Sequence, residues 1–418
     1  MSKLIIELPK GIQRLSLGKE EELLLTSSID ELGSEWEEAT APDNLFLQRA
    51  YLSAFEKNPV SQTGTIYGIF YQNGQPIGII YLQTYFVRLS DSFKDKEKKD
   101  RGIWDCLSAP IRKFFIKKAV FNLLICGNML LTGKHGFYLR KPYDENEATL
   151  QMLASSVDKI QLLLEQLSQQ KMHIQMFKDY PCKEKNPLFD QAMKSAAYYN
   201  YVVQPSMHLP LQAHWNQFDD YVEDMQSKYR VRTRRAAKKG EDLRFVSLTK
   251  EEIIENREKI YALYQEVAKG VTFNAFTLHA FYFCTLKECL GDLFELVAIY
   301  LNDEMVGFYT IFYNYGELEA HFLGMNKEVN KEYQLYLNIL YEIIKKGISK
   351  KVRWIDFART ALEIKSSVGA IACDLDVYAR HRNKLSSQVM KFVFEHMSEE
   401  EKWQPRSPFK NLAMAEQE

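Results

Sequence analysis

The chain lacks the cysteine patterns that build disulfide frameworks or zinc sites. It has 418 residues and six cysteines, with no Cys-x-x-Cys motif and no cluster of cysteine and histidine at zinc-binding spacing. The cysteines are Cys106, Cys126, Cys182, Cys284, Cys289 and Cys373. Single, scattered cysteines are typical of a reducing compartment, so the sequence predicts a cytoplasmic protein without a metal site.

Long hydrophobic runs are also missing. The longest apolar stretch, residues 119–131, is broken by Asn122, Gly127 and Asn128, whereas a membrane-spanning helix needs about 20 mostly apolar residues. Residues 1–10 have no apolar core and no cleavage site of a secretory signal. We therefore expect a protein that is neither secreted nor integral to a membrane.

No excess of charge of either sign is present, because 54 basic residues face 55 acidic ones and the net charge is −1. DNA is not an expected partner, and any other anionic partner requires a local basic patch. The motifs of P-loop enzymes, dinucleotide-binding folds, zinc proteases and serine hydrolases are absent too. Kinase, dehydrogenase and hydrolase activities thus have no support.

What the chain does contain is a repeated pair of apolar strands. Residues 66–86 and 295–315 each place a short polar turn between two alternating apolar runs, a pattern that predicts a β-hairpin. The two segments align without a gap. The matching positions are Tyr71 with Tyr300, Asn73 with Asn302, and Gly78 with Gly307.

The elements after each hairpin follow the same order. Apolar spacing predicts strands over 121–131, 136–139 and 173–177 in the first half, helices over 147–170 and 187–197, and an extended segment over 201–211. In the second half it predicts a helix over 215–229, strands over 318–325 and 352–357, and a helix over 333–349. This order indicates an α/β fold with a mixed sheet in each of two domains, 1–211 and 212–418.

Three stretches of the second half resemble the tandem GNAT acyltransferases of bacteria, which include the Fem-type enzymes. They are residues 225–240 (MQSKYRVRTRRAAKKG), 323–347 (LGMNKEVNKEYQLYLNILYEIIKKG) and 354–370 (WIDFARTALEIKSSVGA). The resemblance implies two tandem GNAT domains, of which the second is catalytic. It also implies transfer of an acyl group from acyl-CoA or acyl carrier protein to an amine on a lipid, sugar or peptide.

Two features depart from that pattern. The glycine-rich loop that holds the coenzyme A pyrophosphate in single-domain GNAT enzymes is replaced before the 333–349 helix by NKEVNKEYQ. The long charged helical hairpin of tRNA-dependent Fem enzymes has no counterpart. A Fem-like transferase that uses aminoacyl-tRNA on a peptidoglycan precursor is therefore the second hypothesis, and a non-catalytic GNAT-fold binding protein is the third.

His321 is the first candidate catalytic residue. Strand alternation predicts that Glu319, His321 and Leu323 share one face, whereas Leu318, Ala320 and Phe322 share the other. A neutral imidazole can accept the proton of the attacking amine, and a nearby carboxylate raises its basicity. The alternative is a histidine at the surface or satisfied within the fold.

Asp356, Arg359 and Lys365 are the other candidates. Asp356 and Arg359 end a predicted strand, and ligands of α/β sheets bind beyond the carboxyl ends of strands. The resemblance implies that Lys365 faces the donor and stabilises developing negative charge, and Arg359 is expected to contact the donor. The alternatives are an Asp–Arg pair that fixes the turn and a solvated lysine.

The densest charged segment is the predicted helix over 225–240. Arg230 and Arg234 are neighbours one helical turn apart and are the predicted ligands of donor phosphates, whether of coenzyme A, a carrier prosthetic group, tRNA or a lipid headgroup. The alternative is a solvated face paired with nearby acids. These acids are Asp219, Asp220, Glu223 and Asp224.

Residues 111–124 (IRKFFIKKAVFNLL) interleave four basic side chains with apolar ones. This pattern is typical of a helix that lies on an anionic membrane surface. It is equally typical of a segment that packs into the first domain with its lysines at the rim. The first interpretation would place the protein peripherally at the inner membrane with a lipid acceptor.

Overall fold

The computed structural model describes residues 5–61, 63–88, 120–182, 186–269, 277–383 and 403–409. The chain forms two compact units. The first unit comprises 1–203, 272–279 and 374–399, and the second comprises 204–271, 280–373 and 400–418. The described residues contain no helix long and apolar enough to cross a membrane.

Fourteen strands are present in the described residues. They are β1 (Gln13–Ser16), β2 (Glu21–Thr26), β3 (Thr63–Gln72), β4 (Gln75–Arg88), β5 (Val120–Cys126), β6 (Phe137–Leu139), β7 (Ile174–Pro181), β8 (Tyr199–Pro210), β9 (Arg244–Ser247), β10 (Phe294–Leu301), β11 (Glu304–Asn314), β12 (Glu317–Met325), β13 (Trp354–Asp356) and β14 (Ile371–His381).

Twelve α-helices accompany these strands in the same ranges. They are α1 (Glu35–Ala39), α2 (Arg49–Lys57), α3 (Glu147–Ser168), α4 (Pro187–Ser195), α5 (Phe218–Glu223), α6 (Ser227–Lys239), α7 (Lys250–Glu255), α8 (Arg257–Ala268), α9 (Tyr282–Leu290), α10 (Lys327–Tyr333), α11 (Leu335–Ser349) and α12 (Leu362–Ser367).

The first unit is built on a mixed sheet in the order β1-β2-β3-β4-β5-β7-β14, with β6 paired to β4. β5 and β7 are parallel and the other pairs for which a register is defined are antiparallel. α3 begins at the cap Asn146, whose side chain accepts from the amide of Thr149. Its apolar stripe, including Leu153, Val157 and Ile160, is buried in the core of this unit.

The second unit repeats this plan in the order β8-β13-β12-β11-β10-β9. β12 and β13 are parallel, and the remaining pairs are antiparallel. α11 buries Leu340 and Ile344 in the core of the unit, together with Leu318 of β12 and Ile355 of β13. Burial of each large aliphatic side chain contributes roughly 1.5–3 kcal/mol.

The two predicted hairpins are confirmed, and they share one register. In the first, Phe70 pairs with Gly78 and a bulge precedes the pair of Tyr71 with Pro76. In the second, the matching residues repeat both the pairing and the bulge. These pairs are Ile299 with Gly307 and Tyr300 with Met305. Both turns are left-handed, with φ of 52° and 75° at Asn73-Gly74 and of 47° and 64° at Asn302-Asp303, as a two-residue hairpin requires.

The predicted helix over 215–229 is wrong. That segment contains α5 and the start of α6, with a break between Asp224 and Gln226. The break exists because Asp220 and Asp224 bond to residues before α5, whereas Gln226 Nε2 and its amide donate to the carbonyls of Ser407 and Pro408. The basic helix α6 itself spans nearly the predicted 225–240 range.

The compact units divide the chain differently from the predicted domains 1–211 and 212–418. The first unit ends at Val203 and also takes residues 374–399. The physical reason is strand pairing, because Leu375 to His381 of β14 pair antiparallel with β7, and His208 to Pro210 of β8 pair with β13. Each unit thus completes its sheet with a strand from the other half of the sequence.

Of residues 111–124, 111–119 lie outside the described residues. Residues 120–124 open strand β5, where they pair with β4. This described part matches the packing interpretation, and the membrane interpretation stays a prediction about the rest.

Candidate active site

A β-bulge in β12 sets the geometry of the site. Thr310 of β11 lies opposite two residues, His321 and Phe322, because the register shifts between Tyr309 and Ile311. The Thr310 hydroxyl holds the bulge by accepting from the amide of Phe322 at 2.9 Å and donating to its carbonyl at 3.0 Å. Bulges of this kind re-aim side chains and are enriched next to active sites.

Because of the bulge, the side chains that share each face of β12 differ in part from the prediction. Leu323 packs with Leu318 and Ala320 in the aliphatic core, whereas Phe322 joins His321 on the other face, with ring centroids 4.4 Å apart. Strict alternation fails here because the bulge inserts one residue. The predicted association of Glu319 with His321 on one face holds, and Leu323 does not belong to that face.

A polar row crosses four strands of the second unit on the His321 face. His208 Nε2 lies 3.4 Å from Asp356 Oδ2, Asp356 lies opposite Glu319 in the parallel pair, and Asn314 Nδ2 donates to Glu319 Oε1 at 2.7 Å. The row places two carboxyl groups side by side. Two close carboxylates disfavour ionisation of both, so one of them holds the proton more tightly.

Asp356 is the carboxyl group that stays ionised. Burial alone would raise its pKa, but His208, the Ser206 hydroxyl at 2.5 Å and the Ala358 amide at 2.6 Å outweigh burial and lower the pKa. Ser206 is fully buried. Its hydrogen bond therefore stabilises the charged form without competition from water.

Glu319 carries the opposite shift. Burial and the charge of Asp356 raise the pKa of Glu319 well above its usual value, although the bond from Asn314 partly offsets this. A carboxylate whose pKa is raised is a stronger base and is better suited to accept a proton from an amine. Glu319 was predicted only as a neighbour of His321, although a glutamate on the polar face of a half-buried strand was a signal for it.

His321 lies among aromatic rings. Its Nε2 is 3.0 Å from the hydroxyl of Tyr282, and its ring centroid lies 4.8 Å from that of Phe312. Burial lowers the pKa of His321 to about 3, so the imidazole is neutral at physiological pH and only weakly basic. Tyr282 begins α9 and reaches His321 across 39 positions of sequence, for which the sequence carried no signal.

The turn after β13 has a strained backbone. Ala358, Thr360 and Ala361 all adopt left-handed conformations, with φ of 55°, 69° and 49°. Such residues cost of order 1–3 kcal/mol each and persist only where surrounding contacts hold them. Strain concentrated in one turn of four residues marks this turn as a functional candidate.

Lys365 and Asp356 hold this turn from two sides. Lys365 Nζ donates to the carbonyl of Ala358 at 3.1 Å and to that of Arg359 at 2.5 Å, while Asp356 accepts from the Ala358 amide. Burial lowers the pKa of Lys365 to about 7, against the opposing effect of Asp356. Lys365 is only 4% exposed, so the alternative of a solvated lysine is wrong.

The structure thus brings three of the predicted residues to one turn, namely Asp356, Arg359 and Lys365. The proposed Asp–Arg ion pair is not what fixes it, since Asp356 binds the backbone of Ala358 and the side chains of Ser206 and His208. His321 lies two residues from Glu319 on the same face of β12, and Glu319 lies opposite Asp356. Ser206 and His208 were not predicted, because they come from β8, about 150 positions away in sequence.

An open strand edge lies beside this group. β12 and β13 pair over only three residues, Glu317–Glu319 with Trp354–Asp356, whereas β12 continues to Met325. In the described parts of the chain, no strand pairs with the β13-side edge of residues 320–325. Backbone groups on such an edge can pair with an extended ligand.

The N-terminus of α11 is preceded by a short helix and not by a glycine-rich loop. The NKEVNKEYQ segment forms α10, and Asn330 Oδ1 accepts from the Tyr336 amide at 2.8 Å in the first turn of α11. That amide is therefore already bonded within the protein. A pyrophosphate would have to compete with the Asn330 side chain for this helix terminus.

Arg230 and Arg234, the predicted phosphate ligands, are on α6 but do not line the pocket beside that helix. Arg230 donates to the carbonyl of Glu223 at 3.1 Å, and Arg234 is exposed on the helix surface. An open pocket of about 440 Å³ is lined instead by a different row. The cations of this row are Lys228, Arg232 and Arg235. Helical periodicity does not say which of the two rows of cations lines a pocket. The packing of α6 near α12 decides this.

Comparisons with known proteins bear on the second unit. Residues 227–366 match the family model described as an acetyltransferase (GNAT) domain. A comparison with curated protein sequences finds no significant match.

Several solved structures are similar to this chain at low sequence identity. FemX has 12% identity and a TM-score of 0.50, with 84% of this chain and 95% of FemX covered. A tandem GNAT protein from the clavulanic acid biosynthesis pathway has 10% identity and a TM-score of 0.48, with 87% and 99% covered. L-PGS from Bacillus licheniformis has 10% identity and a TM-score of 0.43, with 82% and 94% covered.

The likeness to FemX at this identity shows the fold, and the family model covers the strands and turn that carry Glu319, His321, Asp356 and Lys365. Residues 227–366 thus match a GNAT domain, and the chain as a whole shares the fold of FemX.

Proposed function

We propose that the protein is an N-acyltransferase that moves an acyl group from a thioester, acyl-CoA or acyl carrier protein, to an amine of a lipid, sugar or peptide. The observation that carries this proposal is the pair of carboxyl groups of Glu319 and Asp356 beside the open edge of β12. The pKa of Asp356 is lowered, so this group keeps its charge, and the pKa of Glu319 is raised, which makes its carboxylate a stronger proton acceptor. The GNAT family match supports the reaction class.

The reaction assigns a separate task to each group. The amine nitrogen attacks the thioester carbonyl, a C–N bond forms and the C–S bond breaks. An ammonium acceptor releases two protons in total, of which Glu319 takes one and the departing thiolate takes the other. The neighbouring charge of Asp356 makes protonation of Glu319 more favourable.

His321 and Lys365 support this chemistry in different ways. His321 is too weak a base to deprotonate an amine, so we assign it, with Tyr282, to the positioning of the acceptor beside Glu319. Lys365 holds the carbonyls of Ala358 and Arg359, which keeps the strained turn in place. Arg359 stays a proposed donor contact in that turn.

The test is release of free thiol from acetyl-CoA and a long-chain acyl-CoA in the presence of an amine panel. The panel contains an amino sugar, phosphatidylethanolamine and a peptide with a free amino group. Glu319→Gln should lower the rate by about 10²–10⁴-fold, the range expected for loss of a general base. The matched control is Glu317→Gln, on the same strand face, whose partner Arg353 lies 3.0 Å away at the surface. Equal rates in the wild type and Glu319→Gln would remove Glu319 from the mechanism.

A second candidate is a Fem-like transferase that uses aminoacyl-tRNA on a peptidoglycan precursor. The observation that favours it is the bond from the Tyr336 amide to Asn330, which occupies the helix terminus where a coenzyme A pyrophosphate would be expected. Sensitivity of transfer to ribonuclease separates the two donors. Failure of every donor and acceptor to react would leave the non-catalytic binding protein as the better account.

A further inference from the structure

The pocket beside α6 has a marked excess of positive charge. Four cationic side chains and one carboxylate line it, together with Tyr229 and Ile364. The charged residues are Lys228, Arg232, Arg235, Arg406 and Glu363. Its volume of about 440 Å³ lies within the range of small-molecule sites, about 300–1,000 Å³.

The cations from α6 are not neutralised by the acids nearest in sequence. Asp220 accepts from the amides of Asn216 and Gln217, and Asp224 accepts from the indole of Trp215 and pairs with His214. In the described residues, none of the seven cations of α6 forms a salt bridge. The alternative in which these acids pair with the basic helix is therefore wrong for the described chain.

A segment near the end of the sequence forms one wall of the pocket. The Arg406 amide donates to Ser366 Oγ at 3.0 Å, and the Gln404 amide donates to Glu363 Oε1 at 3.0 Å. Phe409 is buried against Trp215 and Tyr221. Arg406 is thus held opposite α6 by contacts of the residues on both sides of it.

We propose that this pocket binds a phosphate-bearing small molecule, with Arg232 and Arg235 as the principal ligands of the phosphate oxygens. Guanidinium groups stay positively charged at physiological pH, and their paired N–H donors match the geometry of phosphate oxygens. Tyr229 and Ile364, which is 37% exposed, provide an apolar surface for the organic part of the ligand. Lys228 and Arg406 provide the remaining positive charge of the pocket, and Arg406 also lies 3.6 Å from Glu363 in an ion pair.

Two sources could supply this chemistry. One is the nucleotide or phosphopantetheine part of the acyl donor. The other is a nucleoside diphosphate to which the acceptor substrate is attached. Binding of such a ligand to the pocket does not require turnover. Loss of ligand binding and loss of the proposed acyl transfer are therefore measured in separate experiments.

The experiment is isothermal titration calorimetry on the full chain with pyrophosphate, coenzyme A and UDP as separate probes. The double variant Arg232→Gln/Arg235→Gln should bind pyrophosphate at least tenfold more weakly than the wild type. The matched control is Arg230→Gln/Arg234→Gln, which removes the same charge from the same helix outside the pocket and should change binding less than twofold. Tighter binding of coenzyme A than of UDP identifies the donor as the source, and the reverse order identifies the acceptor.

A variant that is expected to bind more tightly provides a test that unfolding of the protein cannot mimic. Glu363→Gln removes the one carboxylate of the pocket and keeps an oxygen that can accept from the Gln404 amide. It should bind pyrophosphate more tightly than the wild type, by about 2–5-fold for one exposed charge, and the gain should shrink in 0.5 M salt. Absence of binding by all three probes, equal loss in the two double variants, or no gain in Glu363→Gln would each overturn the proposal.

Discussion

The Thr310 hydroxyl makes both an accepting and a donating hydrogen bond to the backbone of Phe322, and so closes the bulge that places His321 and Phe322 on one face of β12. Thr310 is 1% exposed, so water cannot replace either bond. One buried side chain therefore decides the orientation of two aromatic rings in the candidate site.

Thr310→Val should destabilise the protein and disturb the site. Valine has the same shape but leaves the amide and carbonyl of Phe322 without this partner, which costs about 1–3 kcal/mol. Denaturant unfolding measures the loss, and Thr310→Ser, which keeps the hydroxyl, is the control. A Val variant as stable as the wild type would show that the hydroxyl does not hold the bulge.

Glu319→Gln should change how stability depends on pH. The folded pKa of Glu319 is raised, so the folded state binds the proton more tightly than the unfolded chain. Its contribution to the free energy of unfolding is present below the unfolded pKa of about 4.3 and is lost as pH rises through the folded pKa. Glu319→Gln should therefore become more stable relative to the wild type as pH rises from 4 to 8, measured by denaturant unfolding. A difference that is independent of pH would contradict the raised pKa.

Asp356→Asn should shift the acid limb of the activity profile to lower pH. The charge of Asp356 raises the pKa of Glu319, so its removal lets Glu319 deprotonate more readily. The asparagine oxygen can still accept from Ser206 and Ala358. The profile of kcat/KM against pH is the measurement, with Glu317→Gln as a control for a smaller charge effect. An unchanged acid limb would show that the two carboxyl groups are not coupled.

Lys365→Ala should loosen the strained turn without unfolding α11. The carbonyls of Ala358 and Arg359 lose their shared donor, and three left-handed residues are then less strongly held. Amide hydrogen exchange in peptides covering 357–361 should accelerate about tenfold or more, which corresponds to about 1.4 kcal/mol of local stability. Peptides from α11 should exchange as in the wild type. The control is Lys350→Ala, an exposed lysine that makes no contact with this turn.

Much of the fold could be predicted because it depends on neighbours in sequence. The turn residues Asn73-Gly74 and Asn302-Asp303 adopt left-handed conformations by themselves, and apolar residues every third or fourth position indicated α3 and α11. Asp356 was predicted from its place at the end of a predicted strand, and Lys365 from the resemblance of residues 354–370 to the tandem GNAT acyltransferases. The hairpins and the helices follow from local propensity and periodicity alone.

The tertiary structure decided what local pattern leaves open. The bulge at His321 needs β11 as its partner, the neighbours of Asp356 come from β8 and β12, and the cation row that faces a pocket depends on α12 and on Arg406. Each sheet is completed by a strand from the other half of the sequence. Pairings between distant strands depend on which surfaces meet after folding, and periodicity within one segment carries no information about that partner.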